Sequence, residues 1–320
     1  MKKGIAVCLS VALLFSFAAC GTETLKNAGK ETVSAQTEQN NIAASTENTA
    51  WIDMYEDYLD RVLDSEDAAP DAGFGLVYID GDDTPELTVS VGTYHAAGAR
   101  LICVYDGKLS ASDPIGSFGS FGYAEKTGVV VHGYSGSGVT TVNVSRLVNG
   151  ELEDLWTGEE ADGSMMGMSE EITYSSDGKE VSKEEYDRMY EKYVPIKYDS
   201  IGDSVDSGGV HPFLTKENVR LYFDALRHPE TIANLRTANK MTLTGTLRFT
   251  KDYSGDEYTL LELDTPFVAQ VQGSLFPYLV SSVECFAASD DQTLDGSKVT
   301  YTGSIGGSLQ DRYVSFLVTE

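Results

Sequence analysis

Hydrophobic residues recur with two different periods in different segments of the chain. Between residues 51 and 63 they stand three and four positions apart with acidic residues between them, which predicts an amphipathic helix. From residue 74 to about 181, short apolar runs are separated by turn residues, which predicts an antiparallel sheet. The predicted strands of this segment are 74–79, 86–91, 99–105, 129–134, 139–148 and 171–175.

Three dipeptides within this segment predict tight hairpins. Both of their residues tolerate positive φ, which a two-residue hairpin turn requires. They are Asp106-Gly107, Asn149-Gly150 and Asp177-Gly178.

Two further helices are predicted after the strand-rich segment. Ser182 and Glu185 form a capping box, in which each side chain can bond the backbone N–H of the other residue. A second apolar stripe runs from residue 215 to about 226, and Pro229 ends it.

The last segment, 241–320, has strand-like runs and no long helical pattern. Five strands in a segment of this length are typical of a small, partly open barrel of the OB type. The runs are 242–250, 257–263, 281–287, 297–305 and 312–318. The predicted fold class is therefore α+β, with a helix-flanked antiparallel β-sheet domain at 51–240 followed by a small OB-like β-barrel domain at 241–320.

The amino terminus predicts export and a lipid anchor. A basic start is followed by an apolar run at 4–17 that is too short for an ordinary membrane span. Phe17-Ala18-Ala19-Cys20 resembles a bacterial lipobox, which implies a lipoprotein signal peptide at 1–19 and lipid, palmitate included, on Cys20. An ordinary secretory signal with an incidental cysteine is the alternative.

The predicted lipid anchor also indicates the cellular location of the protein. Residues 20–50 are small and polar, which predicts a lipidated flexible tether. We expect the protein on the cell membrane, attached through its lipid and facing outside the cytoplasm.

Charge restricts the partners of the protein. Without the predicted signal peptide the chain has 21 basic and 50 acidic residues, a formal net charge of −29. Nucleic acid and anionic lipid head groups repel such a chain, so nucleic-acid binding is excluded and attachment must come from the lipid.

Two cysteines, Cys103 and Cys285, remain after the signal peptide and Cys20. Export permits a disulfide bond between them. Their apolar surroundings and long separation favour two buried free thiols.

An acidic loop lies between the first two predicted strands. The stretch FGLVYIDGDDTPEL at 74–87 resembles YALYDIDGDGxPEL, a motif of lipoproteins and exported proteins of Gram-positive bacteria that looks like a calcium loop. Tyr78 replaces the first acidic ligand of that motif and Asp83 replaces its glycine. The alternative is a β-turn capped by its own aspartates. The calcium ligands that the resemblance implies are Asp80, Asp82, the carbonyl of Thr84, and Glu86.

Three phrases of the predicted barrel are similar to those of a known domain. The phrases LTGTL, YTLLELDTP and DGSKVTYTG at 243–247, 258–266 and 295–303 resemble a bacterial extracytoplasmic barrel domain. Several members carry a histidine after the last phrase, and this chain has SIGGSLQDRY instead. Oligosaccharides are ligands of OB faces. A stacking face for an oligosaccharide or a protein ligand is predicted at Phe249, Tyr258, Tyr301 and Phe316.

Motifs for catalysis are absent from the sequence. The four histidines fall in separate segments, and there is no P-loop, dinucleotide fingerprint or HExxH. The leading hypothesis is a non-catalytic binding or cell-envelope interaction protein, with calcium as the one candidate cofactor. The alternative is a cell-envelope hydrolase with a carboxylate-based site.

Overall fold

A computed structural model gives the architecture of most of the chain after residue 48. It describes residues 49–65, 72–90, 98–116, 119–164, 171–195, 199–200, 214–235, 239–251, 257–271, 275–286, 292–306 and 314–319. The predicted signal peptide, Cys20 and residues 20–48 of the tether lie outside the described residues. Within the described part, no helix has the length and apolar character needed to span a bilayer.

The described residues form three α-helices and seventeen strands. The helices are α1 (Ala50–Leu63), α2 (Lys183–Tyr193) and α3 (Lys216–Arg227). The strands are β1 (Phe74–Val77), β2 (Glu86–Ser90), β3 (Ala99–Tyr105), β4 (Lys108–Ala111), β5 (Gly119–Ala124), β6 (Val129–Gly136), β7 (Val139–Val148), β8 (Glu151–Asp162), β9 (Ile172–Ser176), β10 (Lys179–Val181), β11 (Asp199–Ser200), β12 (Ala233–Asn234), β13 (Asn239–Lys251), β14 (Glu257–Gln270), β15 (Tyr278–Phe286), β16 (Lys298–Gly306) and β17 (Val314–Val318).

Two antiparallel sheets pack face to face in the first part of the chain. One has the order β1-β2-β3-β4, and the other has the order β10-β9-β8-β7-β6-β5-β11. Alternate residues of β3, and Ile79 just after β1, point between the sheets, where Ile79, Leu101 and Cys103 pack in one core with Phe121 and Val130. This inter-sheet core holds the two sheets together by burial of apolar surface.

Helices cover the outer faces of both sheets. On the four-stranded sheet, Tyr55 of α1 and Phe223 of α3 pack in one core with Phe74 and Ile102. On the seven-stranded sheet, Trp156 is 1% exposed and packs against α2. The layers are therefore α1 with α3, the four-stranded sheet, the seven-stranded sheet, and α2.

The predicted tight hairpins are present with the expected backbone. Both residues of each dipeptide have positive φ, and the turns join β3 to β4, β7 to β8 and β9 to β10. The turn residues are Asp106-Gly107, Asn149-Gly150 and Asp177-Gly178. The capping box is also present in part, because the Glu185 N–H donates to Ser182 Oγ at 3.2 Å.

The last five strands form a closed barrel. Strands β13, β14, β15, β17 and β16 pair in that order, and β16 returns to β13. Its interior is a separate core that includes Leu247, Leu261 and Phe316. Strands β15 and β17 are parallel, and the other pairs of the barrel are antiparallel.

The core around α1 and α3 extends into the barrel. Val268 of β14 and Leu279 of β15 belong to this core, and Tyr222 of α3 donates a hydrogen bond to the Pro277 carbonyl at 3.1 Å. The predicted domain boundary between residues 240 and 241 stays a prediction, and apolar packing crosses it.

A β-rich fold with a five-stranded barrel is confirmed, and the barrel is closed where a partly open one was predicted. The helix-flanked α+β description fits loosely, because strands dominate and the helices of the described residues are short.

Candidate functional site

The acidic loop between β1 and β2 caps its own backbone. The Asp82 N–H donates to Asp80 Oδ1 at 2.9 Å, and the Thr84 N–H donates to Asp82 Oδ1 at 2.7 Å. These are the side-chain to backbone bonds of a turn that aspartates stabilise. The self-capped turn is therefore present, whether or not the loop binds a cation.

Glu86 is the buried member of the loop. Its side chain is 3% exposed, and its Oε2 accepts a hydrogen bond from the Ile79 N–H at 2.7 Å. Burial raises the pKa of Glu86 to about 8, and the nearby charges of Asp80 and Asp82 act in the same direction. Burial also raises the pKa of Asp82.

Three of the four predicted ligands come together. One carboxylate oxygen each from Asp80, Asp82 and Glu86 lies within 4.8 Å of the other two. These hard oxygens suit calcium, but calcium takes about six to eight of them, and two of the aspartate oxygens already accept backbone hydrogen bonds. The set fits a weak site completed by a backbone carbonyl such as that of Thr84 and by water.

Neighbouring elements hold the loop in place. Tyr55 of α1 donates a hydrogen bond to the Pro85 carbonyl at 2.7 Å. The Lys126 and Gly128 N–H groups of the β5–β6 turn donate to the carbonyls of Tyr78 and Ile79. The Tyr78 ring lies 4.7 Å from that of Phe276, between centroids. Tyr78 therefore packs against Phe276, and it stands at the position where the related motif carries an acidic ligand.

The predicted aromatic face of the barrel does not form as one exposed surface. Phe316 is 0% exposed and fills the barrel interior, so it cannot stack on a ligand. Phe249 and Tyr301 are partly buried against the same core. Tyr258 pairs with Thr250, the neighbour of Phe249, so Tyr258 and Phe249 lie on opposite faces of the β13–β14 pair.

Both described cysteines are free thiols. Cys103 lies between the two sheets and Cys285 lies in the barrel core. The prediction of two buried thiols is confirmed, and the two residues belong to separate cores.

A second candidate site lies on the seven-stranded sheet. His132 pairs with Phe121 and with Asn143, and Asn143 pairs with Thr157, so these side chains share one face of β5 to β8. Phe121 belongs to the inter-sheet core. This face of the seven-stranded sheet is therefore apolar where the four-stranded sheet covers it and polar next to that region. We call this partly exposed row of side chains the polar sheet face; it consists of His132, Tyr134, Thr141, Asn143, Thr157 and Glu159.

Hydrogen bonds and packing order the polar sheet face. Thr157 Oγ1 donates to Asn143 Oδ1 at 3.0 Å. A Cβ on Gly136 would lie 2.7 Å from Tyr134 Oη and 3.0 Å from its Cζ, so the hydroxyl end of the Tyr134 side chain lies against Gly136. Burial lowers the pKa of His132, which favours the neutral imidazole, and the charge of Asp154 opposes this shift.

The sequence gives a weak signal for the polar sheet face. Its residues come from three strands, and they share a face through the register of β6 with β7 and of β7 with β8. The predicted strands 129–134 and 139–148 contain four of them, but β8 has no regular alternation. Comparison of the chain with protein-family models, curated proteins and solved structures finds no significant match.

Proposed function

We propose that this chain is a lipid-anchored, extracytoplasmic binding protein of the bacterial cell envelope. Lipid on Cys20 would attach it to the membrane, residues 20–50 would act as a tether, and its ligand would be an envelope component. Its acidic charge argues against nucleic acid as a partner. The observation that carries the binding role is the polar sheet face, in which the hydrogen-bonded pair of Asn143 and Thr157 lies in one row with His132, next to Tyr134.

The strand order of the barrel suggests a finer fold assignment. We propose that the barrel is OB-like, because its first and fourth strands, β13 and β16, pair antiparallel and its third and fifth strands, β15 and β17, pair in parallel. The helix-flanked sheets would form one domain at 51–240, and the barrel would form a second at 241–320.

Sedimentation with envelope polymer tests the binding role. The full chain, purified in detergent, is mixed with insoluble cell-wall polymer and centrifuged. We expect the protein in the pellet, and we expect the double variant His132→Ala, Asn143→Ala to stay largely in the supernatant. Parent protein that remains soluble would contradict the binding role. A Tyr105→Ala variant is the control, because Tyr105 is 46% exposed and lies in a hairpin of the other sheet.

The hydrolase remains the second candidate because of Glu86. A buried carboxyl with a pKa near neutrality beside other carboxylates is typical of a catalytic acid. Its 3% exposure and its bond to the Ile79 N–H put it out of reach of a polymer, so binding is preferred. Release of reducing ends from the polymer, abolished by Glu86→Gln, would establish the hydrolase instead.

We also propose weak calcium binding by the acidic loop, which would support the turn without taking part in a reaction. Millimolar calcium should raise the melting temperature of the parent protein, and Asp82→Ala should remove that increase. Identical melting curves in calcium and in chelator would leave the loop as a self-capped turn.

A further inference from the structure

We propose that the barrel contacts the interfacial region of the lipid bilayer through two exposed side chains, Phe286 and Leu317. We call these two residues the apolar pair. The inference rests on the lipid anchor of the proposed function, and it adds a second contact between the protein and the membrane.

The apolar pair lies side by side on the outside of the barrel. Phe286 of β15 and Leu317 of β17 are direct partners in the parallel pair of strands. Their chain neighbours Cys285 and Phe316 belong to the barrel core, so Phe286 and Leu317 point outward. Phe286 is the last residue of β15, and β17 ends one residue after Leu317, so the pair stands at one end of the barrel.

Exposure distinguishes the apolar pair from the rest of the described surface. Leu317 is 52% exposed and Phe286 is 46% exposed. Single exposed apolar side chains are common on protein surfaces. Among the exposed large hydrophobic residues of the described part of the chain, however, Phe286 and Leu317 are the only two that are partners in neighbouring strands.

The residues around the apolar pair favour a shallow contact with lipid. Ser304 of β16 is the other strand partner of Leu317, and Thr302 follows on the same face, so hydroxyl groups border the pair on that side. Glu284 lies two residues before Phe286 on the same face of β15, and its carboxylate limits how deep this face can enter the bilayer. In the interfacial region, polar groups stay hydrated while apolar side chains reach the acyl boundary.

Size and charge identify the occupant as lipid. Two side chains cover much less than the about 800 Å² per partner that a stable protein interface buries, so a second copy of the chain would not be held here. The acidic chain repels anionic head groups, so a contact with the membrane has to be apolar. The proposed tether at 20–50 would have an r.m.s. reach of about 30 Å, which keeps the folded part close to the bilayer.

Tryptophan quenching by brominated lipid tests the proposal on the full chain in phosphatidylcholine vesicles. Two variants, Phe286→Trp and Tyr105→Trp, each place a reporter at a site that is 46% exposed in the parent. The emission of Trp51 and Trp156 in the parent is the baseline. We expect bromine on the acyl chains to remove most of the emission that Phe286→Trp adds and none of the emission that Tyr105→Trp adds, because only the former side chain reaches the acyl boundary.

Flotation of the same vesicles separates this proposal from the proposed function. If the parent floats with the vesicles and Phe286→Trp is quenched no more than Tyr105→Trp, the lipid anchor stands and the apolar pair does not contact the bilayer. If Phe286→Trp does not fold, Leu317→Trp takes its place, and equal quenching again contradicts the contact.

Two further outcomes would also overturn the proposal. A blue shift of the Phe286→Trp emission that grows with protein concentration, without quenching, would show that a second copy of the chain covers the apolar pair. A parent protein that does not float with the vesicles would remove the lipid anchor, and the proposed contact with it.

Discussion

At the scale of single residues, Glu86 shows how burial changes the role of a predicted ligand. The sequence marks it as the last carboxylate of an acidic loop. The structure places it at the start of a fully buried strand, beside Cys103, whose pKa is raised by burial and by the charge of Glu86. Burial could not be deduced from the motif, because it depends on the packing of the seven-stranded sheet against this side of β2.

Glu86 predicts an unusual dependence of stability on pH. Its folded pKa of about 8 lies above its ordinary value of 4.5, so the folded state holds a proton that the unfolded state releases in this range. The free energy of unfolding is therefore highest at low pH within this window and should fall as pH rises from about 5 to about 8, by roughly 1.4 kcal/mol per pH unit at most.

Urea unfolding in chelator across this pH range measures the effect. Glu86→Gln should flatten the decline, because glutamine stays neutral in both states. The smaller rise in the pKa of Asp82 acts with the same sign at lower pH. A parent protein whose unfolding free energy rises between these pH values would contradict the buried, proton-binding state of Glu86.

At the scale of secondary structure elements, the strands that the sequence predicts well are those with one apolar face and a clear turn. Strand β7, which ends at the turn Asn149-Gly150, is an example. Strands β5 and β8 were not predicted, because β5 is rich in glycine and β8 carries six acidic residues without alternation. Their neighbours in the sheet, and not their own composition, fix them as strands.

The barrel depends on glycines that the sequence does not distinguish. A Cβ on Gly303 would lie 2.2 Å from the Leu317 carbonyl oxygen, whereas a Cβ on Gly306 of the same strand would meet nothing within 4 Å. We expect Gly303→Ala to lower the free energy of unfolding by about 1–3 kcal/mol, because the backbone of β17 must move.

Chemical denaturation of both variants checks this prediction. Gly306→Ala is the matched control and should change stability by about 0.5 kcal/mol or less. Equal stabilities of the two variants would contradict the close approach of β16 and β17.

At the scale of the whole molecule, the sequence predicted two independent parts, and the structure joins them through the core of α1 and α3. The closure of the barrel and this shared core both depend on contacts between segments that are distant in sequence. Neither leaves a local pattern in the chain. The predicted stacking face of barrel aromatics therefore included Phe316, which fills the interior.

The shared core predicts one cooperative unfolding transition. Tryptophan fluorescence reports on the part of the chain before the barrel, because Trp51 and Trp156 both lie there. Circular dichroism reports on all strands. The two signals should change at the same denaturant concentration. Leu279→Ala removes a fully buried side chain of β15 and leaves a cavity beside α3. We expect it to lower the free energy of unfolding, measured by either signal, by about 2–5 kcal/mol.

Leu317→Ala is the control for this experiment, since Leu317 of the same barrel is 52% exposed. It should change stability by about 0.5 kcal/mol or less. Separate transitions for fluorescence and circular dichroism would show that the barrel unfolds alone.

Hydroxyl-radical footprinting of the full chain, with and without envelope polymer, tests binding through the polar sheet face. Binding through the polar sheet face predicts that oxidation of Tyr134 and His132 falls when the polymer is present, while oxidation of Tyr105 does not change. Protection of Tyr258 and Tyr301 on the barrel, with Tyr134 and His132 oxidised as before, would rule out the polar sheet face and place the binding surface on the barrel.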